Sequence, residues 1–454
     1  MRGKLAACVT AAFMLSGCTS LNFSVENLLA APKLTSEQSE IHEALIAAVG
    51  NNLTLKYPKN GSNRSAYVIA DIDDEPGDEA LVFYEYTGSE TSDEGLRVNL
   101  LDKDQDGRWQ SVKEIAGAGT DVDKVIITKM GADNHTNVLV GYQTLSGEEK
   151  ALEIYSYLGG DFKRIGTSSY SVLETLDIDS DGATELLTVR RLTNTESGLT
   201  TSTASLLTLN KTEDENGNLT DEVTLTQSID MCDNVSSYAR ALTGRLADGR
   251  NALYVDAVDG EGMIHTELVY YRYSALQNPM QIRSERLIPA CTRPAGYSCT
   301  DMDRDGVIEI PSVRPLIGYE NSPPEEQQLL TSWTQYTDFY ELTEKYSGYY
   351  AVSDGYTMIF PSRWTDKVTV KKDSVTGETV FYKFEGDINA EMTELMRIAV
   401  VPKTQVEEFT FSGYQVITSA GQLDYLVLLP AANKREQLIP TIDEVSNNLY
   451  IIEA

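Results

Sequence analysis

The stretch DIDSDGATELL, residues 177–187, places carboxylates at its first, third, fifth and ninth positions and a glycine at its sixth. Carboxylates this close together repel one another unless a cation lies among them. Loops with acids at positions 1, 3 and 5 surround hard cations such as Ca²⁺, with a glycine at position 6 for the sharp turn and a carbonyl ligand at position 7. Strand-like sequence follows the loop, so the stretch predicts a cation-binding β-hairpin.

The same pattern recurs along the chain. DIDDEPGDEAL starts at Asp71 and DMDRDGVIEIP at Asp301, and two degenerate copies, KMGADNHTNVL and GRLADGRNALY, start at Lys129 and Gly244. With Asp177 included, the five starts are separated by 58, 48, 67 and 57 residues. The copies run into strand-like sequence such as EALVFYEY, NVLVGYQT and ELLTVRRL. Repeats of this period, with several strands in each, predict the blades of a β-propeller.

The residues after the loop exclude an EF-hand. An EF-hand needs a bidentate glutamate at position 12, whereas the acidic copies have Val82, Thr188 and Ser312 there. Each acidic copy instead has a glutamate at position 9, namely Glu79, Glu185 and Glu309. This pattern favours a shorter loop between two strands.

At these residues the chain resembles FG-GAP and VCBS-type repeats, the calcium-loop blades of integrin-like propellers, whose pattern is Asp-x-Asp-x-Asp-Gly-x-x-Asp followed by a hydrophobic strand. The resemblance implies that the acids at positions 1, 3, 5 and 9 bind Ca²⁺ together with the carbonyl at position 7. The implied ligands of the two complete copies are Asp177, Asp179, Asp181, Ala183 and Glu185, and Asp301, Asp303, Asp305, Val307 and Glu309.

The other copies depart from this pattern. The first has Glu75 at position 5 and Pro76 in place of the glycine, and its implied ligands are Asp71, Asp73, Glu75 and Glu79. The degenerate copies keep only Asp133 and Asp248, so no metal is expected there. The alternative for every copy is an Asp-Gly hairpin turn whose acids are solvated.

The amino-terminal residues predict a membrane anchor. MRGKLAACVTAAFMLSGC has two basic residues and then an apolar run from Leu5 to Leu15, which is too short to span a bilayer and is typical of a signal peptide. Leu15-Ser16-Gly17-Cys18 follows and resembles the lipobox of bacterial lipoproteins. The resemblance implies lipidation of Cys18, which becomes the new amino terminus at the extracytoplasmic face of the cell membrane. The alternative is an ordinary secretory signal with a chance cysteine.

Composition narrows the possible functions. The 454 residues include 69 acidic and 37 basic ones, a net charge of −32, which repels nucleic acid and attracts cations. Three dispersed histidines offer no credible Ser-His-Asp order, and no phosphate-binding glycine loop is present. An enzyme is therefore not predicted, although a glycosidase needs only two carboxylates, which a chain this acidic always offers.

Four segments are expected. Residues 1–18 form the signal peptide and lipobox, 19–50 a linker and a short helix that Thr35 or Ser36 caps and Gly50 ends, 51–346 the propeller, and 347–454 a small α+β domain. The fold class is thus mainly β, a propeller of about five FG-GAP/VCBS-like blades and a carboxy-terminal domain. Cys232, Cys291 and Cys299 remain after the signal; Cys291 and Cys299 either pair or stay as free, buried thiols, and no Cys-x-x-Cys zinc site is present.

The leading hypothesis is a lipid-anchored, calcium-stabilised propeller that acts as a binding or interaction module outside the membrane, on an unidentified extracellular polymer or envelope protein. The alternatives are a carbohydrate-active enzyme with a carboxylate pair and a structural partner in an envelope protein complex. The binding surface is expected on the longer connections 191–202 and 291–299, where Arg293 and Tyr297 would meet an acidic or sugar partner.

The lipobox yields a direct test. Changing Cys18→Ala removes the sulfur that carries the lipid, so the variant should stay uncleaved or be released from membranes, whereas the unchanged protein partitions into detergent. Mass spectrometry of the mature chain and detergent partitioning measure both effects. If the variant showed the same processing by mass and the same detergent partitioning as the unchanged protein, the lipoprotein assignment would be contradicted.

Overall fold

The computed structural model describes residues 34–452 except 88–94, 146, 148, 214–218, 338–339 and 431–435. The predicted signal peptide and Cys18 lie outside the described residues. Within these ranges the chain is mainly β and forms six antiparallel sheets, which we number 1 to 6 along the sequence. No described helix is long and apolar enough to cross a membrane.

The first three sheets are built from consecutive strands. Sheet 1 contains β1 (Leu53–Leu55), β2 (Tyr67–Ala70), β3 (Glu79–Tyr86), β4 (Leu96–Lys103) and β5 (Trp109–Ala116). Sheet 2 contains β6 (Asp121–Met130), β7 (His135–Gln143), β8 (Lys150–Leu158) and β9 (Asp161–Tyr170). Sheet 3 contains β10 (Val172–Leu176), β11 (Glu185–Thr193), β12 (Thr200–Glu213) and β13 (Leu219–Asp230).

The remaining three sheets contain the other strands. Sheet 4 contains β14 (Ser237–Arg245), β15 (Asn251–Val258), β16 (Ile264–Arg272) and β17 (Ala275–Gln277). Sheet 5 contains β18 (Ile310–Pro315), β19 (Leu329–Thr337), β20 (Glu341–Ala351), β21 (Tyr356–Ile359) and β27 (Leu449–Ile451). Sheet 6 contains β22 (Val368–Lys372), β23 (Thr379–Lys383), β24 (Thr393–Pro402), β25 (Gln415–Ala420) and β26 (Leu423–Leu428).

The helices are short and lie between or beside the sheets. The α-helices are α1 (Ser36–Val49), α2 (Pro279–Ile282), α3 (Ser284–Cys291), α4 (Val406–Phe411) and α5 (Ile442–Asn448). Single 3₁₀ turns span Pro324–Glu326, Val352–Asp354, Ser362–Trp364 and Lys403–Gln405. The prediction of α1 is confirmed, because Thr35 caps it through a capping box with Gln38 and its apolar face buries Ile41 and Leu45 against sheet 1.

The sequence repeats correspond to four-strand meanders. In sheets 2, 3 and 4 each strand pairs with the next one, and β2–β5 follow the same path in sheet 1. In sheet 5 a single bridge between Thr300 and Glu309 takes the place of the first strand ahead of β18–β20. The predicted strands EALVFYEY, NVLVGYQT and ELLTVRRL are therefore confirmed as the second strand of a meander.

Successive sheets pack face to face through apolar side chains. One core joins sheets 1 and 2, as Val98 with Tyr155 illustrates, and the next joins sheets 2 and 3 through residues such as Leu139 and Leu186. Further cores join sheet 3 to sheet 4 and sheet 4 to sheet 5. The second strands are buried on both faces, which explains why they are almost continuously apolar.

The expected boundary at residue 346 is wrong in detail, because β20 continues across it to Ala351 and the last strand, β27, returns to pair with β21 of sheet 5. Sheets 5 and 6 also share one core. Tyr349 of β20 packs edge-on against Phe381 of β23 at 6.0 Å between ring centroids. The carboxy-terminal segment is thus packed as a continuation of sheet 5.

This shared core predicts that sheets 5 and 6 unfold together. Phe381→Ala empties a fully buried site and should lower the free energy of unfolding by about 3–5 kcal/mol. Calorimetry should show one transition containing both sheets, shifted to lower temperature. The control Val375→Ala changes a side chain that is 91% exposed and should leave it in place. A separate transition that alone responds to Phe381→Ala would contradict the shared core.

Candidate metal centres

The three acidic copies occupy the same place in the fold. Each forms the connection between the first and second strand of a meander, and we call them the 71 loop (71–79), the 177 loop (177–185) and the 301 loop (301–309). In each, the glutamate at position 9 faces the residue just before position 1 across the hairpin; the pairs are Ala70 with Glu79, Leu176 with Glu185 and Thr300 with Glu309. The loop therefore links the end of one strand to the start of the next.

Hydrogen bonds between neighbouring residues hold the 177 loop in a compact turn. The carboxylate of Asp177 accepts the amide hydrogens of Asp181 and Gly182, both at 3.1 Å, and Asp181 accepts from the amide of Ala183 at 2.8 Å. Ser180 has φ of 63° and Gly182 of 93°, a left-handed turn that explains the glycine at position 6. The 301 loop repeats these bonds through Asp301 and Asp305.

The glutamate at position 9 is buried in all three loops and binds the backbone of position 2. Its Oε2 accepts the amide hydrogen of Ile72 at 2.7 Å, Ile178 at 3.0 Å and Met302 at 2.9 Å. Carboxylate oxygens of positions 1, 3 and 9 then lie within 4.8 Å of one another. Each of these three clusters can hold a metal ion. The clusters are Asp71, Asp73 and Glu79; Asp177, Asp179 and Glu185; and Asp301, Asp303 and Glu309.

The implied ligands at positions 5 and 7 make other contacts. Asp181 and Asp305 accept the amide hydrogens of Ala183 and Val307, so the residues at position 7 approach the loop through their N–H groups. Glu75 is exposed, and its amide donates to Asp73 at 2.9 Å. The structure thus brings together three of the acids that the sequence indicates in each loop.

Burial disfavours the ionised form of the position-9 carboxyl groups, so a nearby cation would affect their ionisation. It raises the pKa of both Glu79 and Glu185 to about 7, although the amide hydrogen bonds from Ile72 and Ile178 act in the opposite direction. A group whose pKa is raised on folding stabilises the fold at low pH, and that contribution is lost as the pH rises through about 7. A bound cation offsets this loss, because it favours the ionised carboxylate.

The 301 loop contains an internal cation that the sequence pattern did not reveal. Nζ of Lys345, on β20, lies 2.8 Å from Asp303, 2.7 Å from Asp305 and 3.2 Å from Glu309, three of the four acids implied as ligands. These carboxylates raise the pKa of Lys345 although its burial acts to lower it. The ammonium group thus supplies positive charge where the sequence predicted Ca²⁺.

Basic side chains also neutralise the other acidic turns. In the degenerate copies, Lys211 pairs with Asp133 at 2.9 Å, and Arg250 pairs with Asp248. In the turn DKDQDGRWQ, between β4 and β5, Arg108 bonds to Asp104 at 3.3 Å and also to Asp106. The acids in each of these turns therefore have a basic side chain as a partner.

The 71 and 177 loops differ in this respect. Within the described part of the chain, none of the ion pairs includes a carboxylate from positions 1, 3, 5 or 9 of either loop. In the 71 loop Lys129 contacts only Asp74, at position 4, at 2.9 Å, and Thr136 binds both oxygens of that side chain. Asp74 therefore fastens the 71 loop to sheet 2, and the three clustered acids remain without a basic partner.

The expected role of Arg293 in ligand binding is not supported by its position. Its side chain is fully buried, pairs with the buried Asp256 at 2.7 Å and donates to the carbonyl oxygens of Cys291 and Tyr297. Tyr297 is half-buried and packs edge-on against Tyr350. Arg293 therefore fixes the connection 291–299 to sheet 4, and Tyr297 packs it against sheet 5. The pairing alternative for the cysteines is also resolved, because Cys232, Cys291 and Cys299 are all free and buried.

No family model matches the chain, and no curated protein matches it. Among solved structures it is similar to a putative 6-phosphogluconolactonase from Bacteroides uniformis, at 11% identity over 75% of this chain and 94% of that chain, with a TM-score of 0.29. It is also similar to two rhamnogalacturonan lyases, each at 10% identity. The match to YesX covers 76% of this chain and 74% of that chain, with a TM-score of 0.29. The match to YesW covers 75% of this chain and 76% of that chain, with a TM-score of 0.30. Similarity at this level does not extend to a shared activity.

Proposed function

We propose that this chain is a lipid-anchored β-propeller that binds Ca²⁺ in the 177 and 71 loops and acts as a binding module outside the membrane. The observation that carries the calcium assignment is the cluster of Asp177, Asp179 and Glu185, whose oxygens converge within 4.8 Å and have no basic partner among the described ion pairs. The propeller assignment rests on repeated meanders whose successive sheets share cores.

Calcium suits these loops because every side-chain donor is a carboxylate oxygen. Ca²⁺ accepts six to eight oxygen ligands in flexible geometry, whereas Mg²⁺ demands near-octahedral geometry and transition metals favour nitrogen or sulfur. A net charge of −32 also raises the local concentration of cations. The loops thus match a hard cation with a loose coordination shell.

The cation would act on the fold, because its ligands belong to one hairpin. Position 1 directly follows the first strand of the meander and position 9 begins the second, so one ion would join two strands and offset the burial of the glutamate. A partner would then bind elsewhere. The hairpin 194–199 between β11 and β12 is exposed and includes Leu199 at 59% exposure, whereas the three tryptophans are buried and cannot stack on an external sugar.

Calcium should stabilise the protein through these two loops. Extracellular modules bind Ca²⁺ with Kd of about 10⁻⁴–10⁻³ M, so about 1 mM Ca²⁺ should add roughly 0.4–1.4 kcal/mol per site. Asp179→Asn should remove one ion in titration calorimetry and about half of the gain in melting temperature. The matched control Asp133→Asn alters a degenerate copy paired with Lys211 and should change neither.

The pH dependence provides an internal check on this titration. Because the pKa of Glu185 is raised from 4.5 to about 7, the calcium-free protein should lose stability as the pH rises from about 4.5 to about 7. Calcium should remove most of this loss, and Asp179→Asn should reduce that rescue. Absence of a calcium heat together with unchanged melting at every pH would show that the loops are solvated turns.

Removal of Lys345 should allow the 301 loop to bind Ca²⁺. Lys345→Met removes the internal ammonium and keeps the aliphatic stem, so the metal-free variant should be less stable and should bind one more Ca²⁺ than the unchanged protein. Lys163→Met, at an exposed strand position, is the control. Calorimetric stoichiometry decides the outcome: an unchanged number of ions in Lys345→Met would refute the role of Lys345 as a substitute cation.

The proposed class of function is tested by screening the intact chain on arrays of extracellular glycans and by co-purification from membranes. A binding module should retain a polymer or an envelope protein without altering it, and substitutions in 194–199 should weaken that retention. Release of cleaved product from a polysaccharide would instead establish the carbohydrate-active enzyme. Stable recovery of one envelope protein, without polymer binding, would identify a structural partner of that protein.

A further inference from the structure

A second kind of cluster lies in sheet 4, outside the acidic loops. A sulfur of Cys232, a ring nitrogen of His265 and a carboxylate oxygen of Glu267 lie within 4.8 Å of one another. All three residues are buried, with exposures of 7%, 7% and 0%. They lie at the end of the sheet opposite to the turn between β14 and β15, where the degenerate copy is found.

The fold assembles this cluster from two segments that are distant in sequence. His265 and Glu267 alternate on β16 and so share one face of the strand. Cys232 lies in the connection from β13 to β14, and its amide donates to both oxygens of Glu267 at 2.9 and 2.8 Å. Asn278, which caps α2, donates to Glu267 at 3.0 Å, and Gln281 donates to Sγ of Cys232 at 3.1 Å. The side chains of Cys232 and Glu267 are therefore held in place by their surroundings.

Glu267 takes part in none of the ion pairs among the described residues. Its carboxylate accepts hydrogen bonds from the backbone amide of Cys232 and from the side-chain amide of Asn278. On the neighbouring strand, the buried Asp256 has the guanidinium of Arg293 as its counter-ion. Glu267 instead shares its site with a thiol and an imidazole.

His265 provides the independent observation. Its Nε2 is buried and has no hydrogen-bond partner, although leaving a buried polar atom unpaired costs about 1–3 kcal/mol. A buried imidazole beside a thiol and a carboxylate is the composition of a ligand set.

We propose that Cys232, His265 and Glu267 bind a divalent transition metal, with Zn²⁺ as the ion that their chemistry fits best. Thiolate, imidazole and carboxylate are the side-chain ligands of Zn²⁺, and the sulfur excludes Ca²⁺ as the occupant. On binding, the thiol of Cys232 loses its proton to solvent and the sulfur forms a bond to the metal, without change of oxidation state. The three ligands leave a fourth position for water or a further donor.

The location of the cluster indicates what the metal would do. One ligand belongs to the connection between sheets 3 and 4, and the other two belong to the third strand of sheet 4. The short helices α2 and α3 pack against that strand, and α2 with its cap Asn278 supplies polar groups around the ligands. A metal held there ties the connection to the sheet.

Cobalt substitution of the intact chain tests the site. The protein, produced with Co²⁺, should contain one cobalt per chain and show a thiolate-to-cobalt charge-transfer band in the near ultraviolet, and excess Ca²⁺ should leave that band unchanged. Cys232→Ser should abolish the band, and His265→Gln or Glu267→Gln should weaken cobalt retention at least tenfold. Cys299→Ser, a buried thiol in the same sheet region, should retain both band and metal.

The unchanged protein alone decides the proposal if a variant fails to fold. A cobalt-grown, correctly folded wild-type chain that lacks the charge-transfer band would overturn the site. A band that persists in folded Cys232→Ser and disappears in Cys299→Ser would overturn it equally, because the sulfur ligand would then be a different cysteine. Neither result bears on calcium binding in the 177 and 71 loops, which contain no cysteine.

Discussion

A buried glutamate carboxylate that binds a backbone amide across the first hairpin is the constraint on which the repeat depends. The bond is present in three sheets, from Glu79 to Ile72, Glu185 to Ile178 and Glu309 to Met302. It fixes the spacing between the first and second strands and brings the acids at positions 1 and 3 to the same point. Burial of that carboxylate is unfavourable unless positive charge is nearby, so each loop needs a counter-charge.

The chain meets this need in different ways. Lys345 supplies the charge in the 301 loop, and Arg293 does so for Asp256 within sheet 4. The clusters in the 71 and 177 loops contain three carboxylates each, and a bound ion is the simplest way to balance them. Protein cations and bound cations would then be interchangeable solutions to the same electrostatic problem, with different consequences: a lysine makes a loop independent of the environment, whereas a bound ion makes its stability depend on calcium.

The parts of this structure that sequence predicts are those specified locally. The spacing of acids, glycine and the following apolar run indicated the hairpins, and Thr35 with Gly50 indicated the bounds of α1. Lys345 could not be predicted, because it lies on a strand 36 residues after Glu309 and reaches the loop only through the tertiary fold. Arg293 was misjudged for a similar reason, since a charged residue in an irregular connection is expected at the surface.

Long-range pairing also explains the other differences. The expected carboxy-terminal boundary lies where the acidic repeat ends, but β20 crosses that point. Its neighbour β21 also pairs with β27, which returns from about a hundred positions later in the chain. Cys232, His265 and Glu267 have no motif spacing, and only the alternation of β16 and the path of the connection before β14 bring them together.

The most direct measurement is a crystal structure of the protein grown with Ca²⁺ and then with a lanthanide in its place, in which anomalous scattering identifies the bound ions. We expect peaks among the carboxylates of Asp177, Asp179 and Glu185 and among those of Asp71, Asp73 and Glu79, with Nζ of Lys345 in contact with Glu309. Absence of a peak in the 177 loop, or a metal in the 301 loop that displaces Lys345, would contradict this expectation.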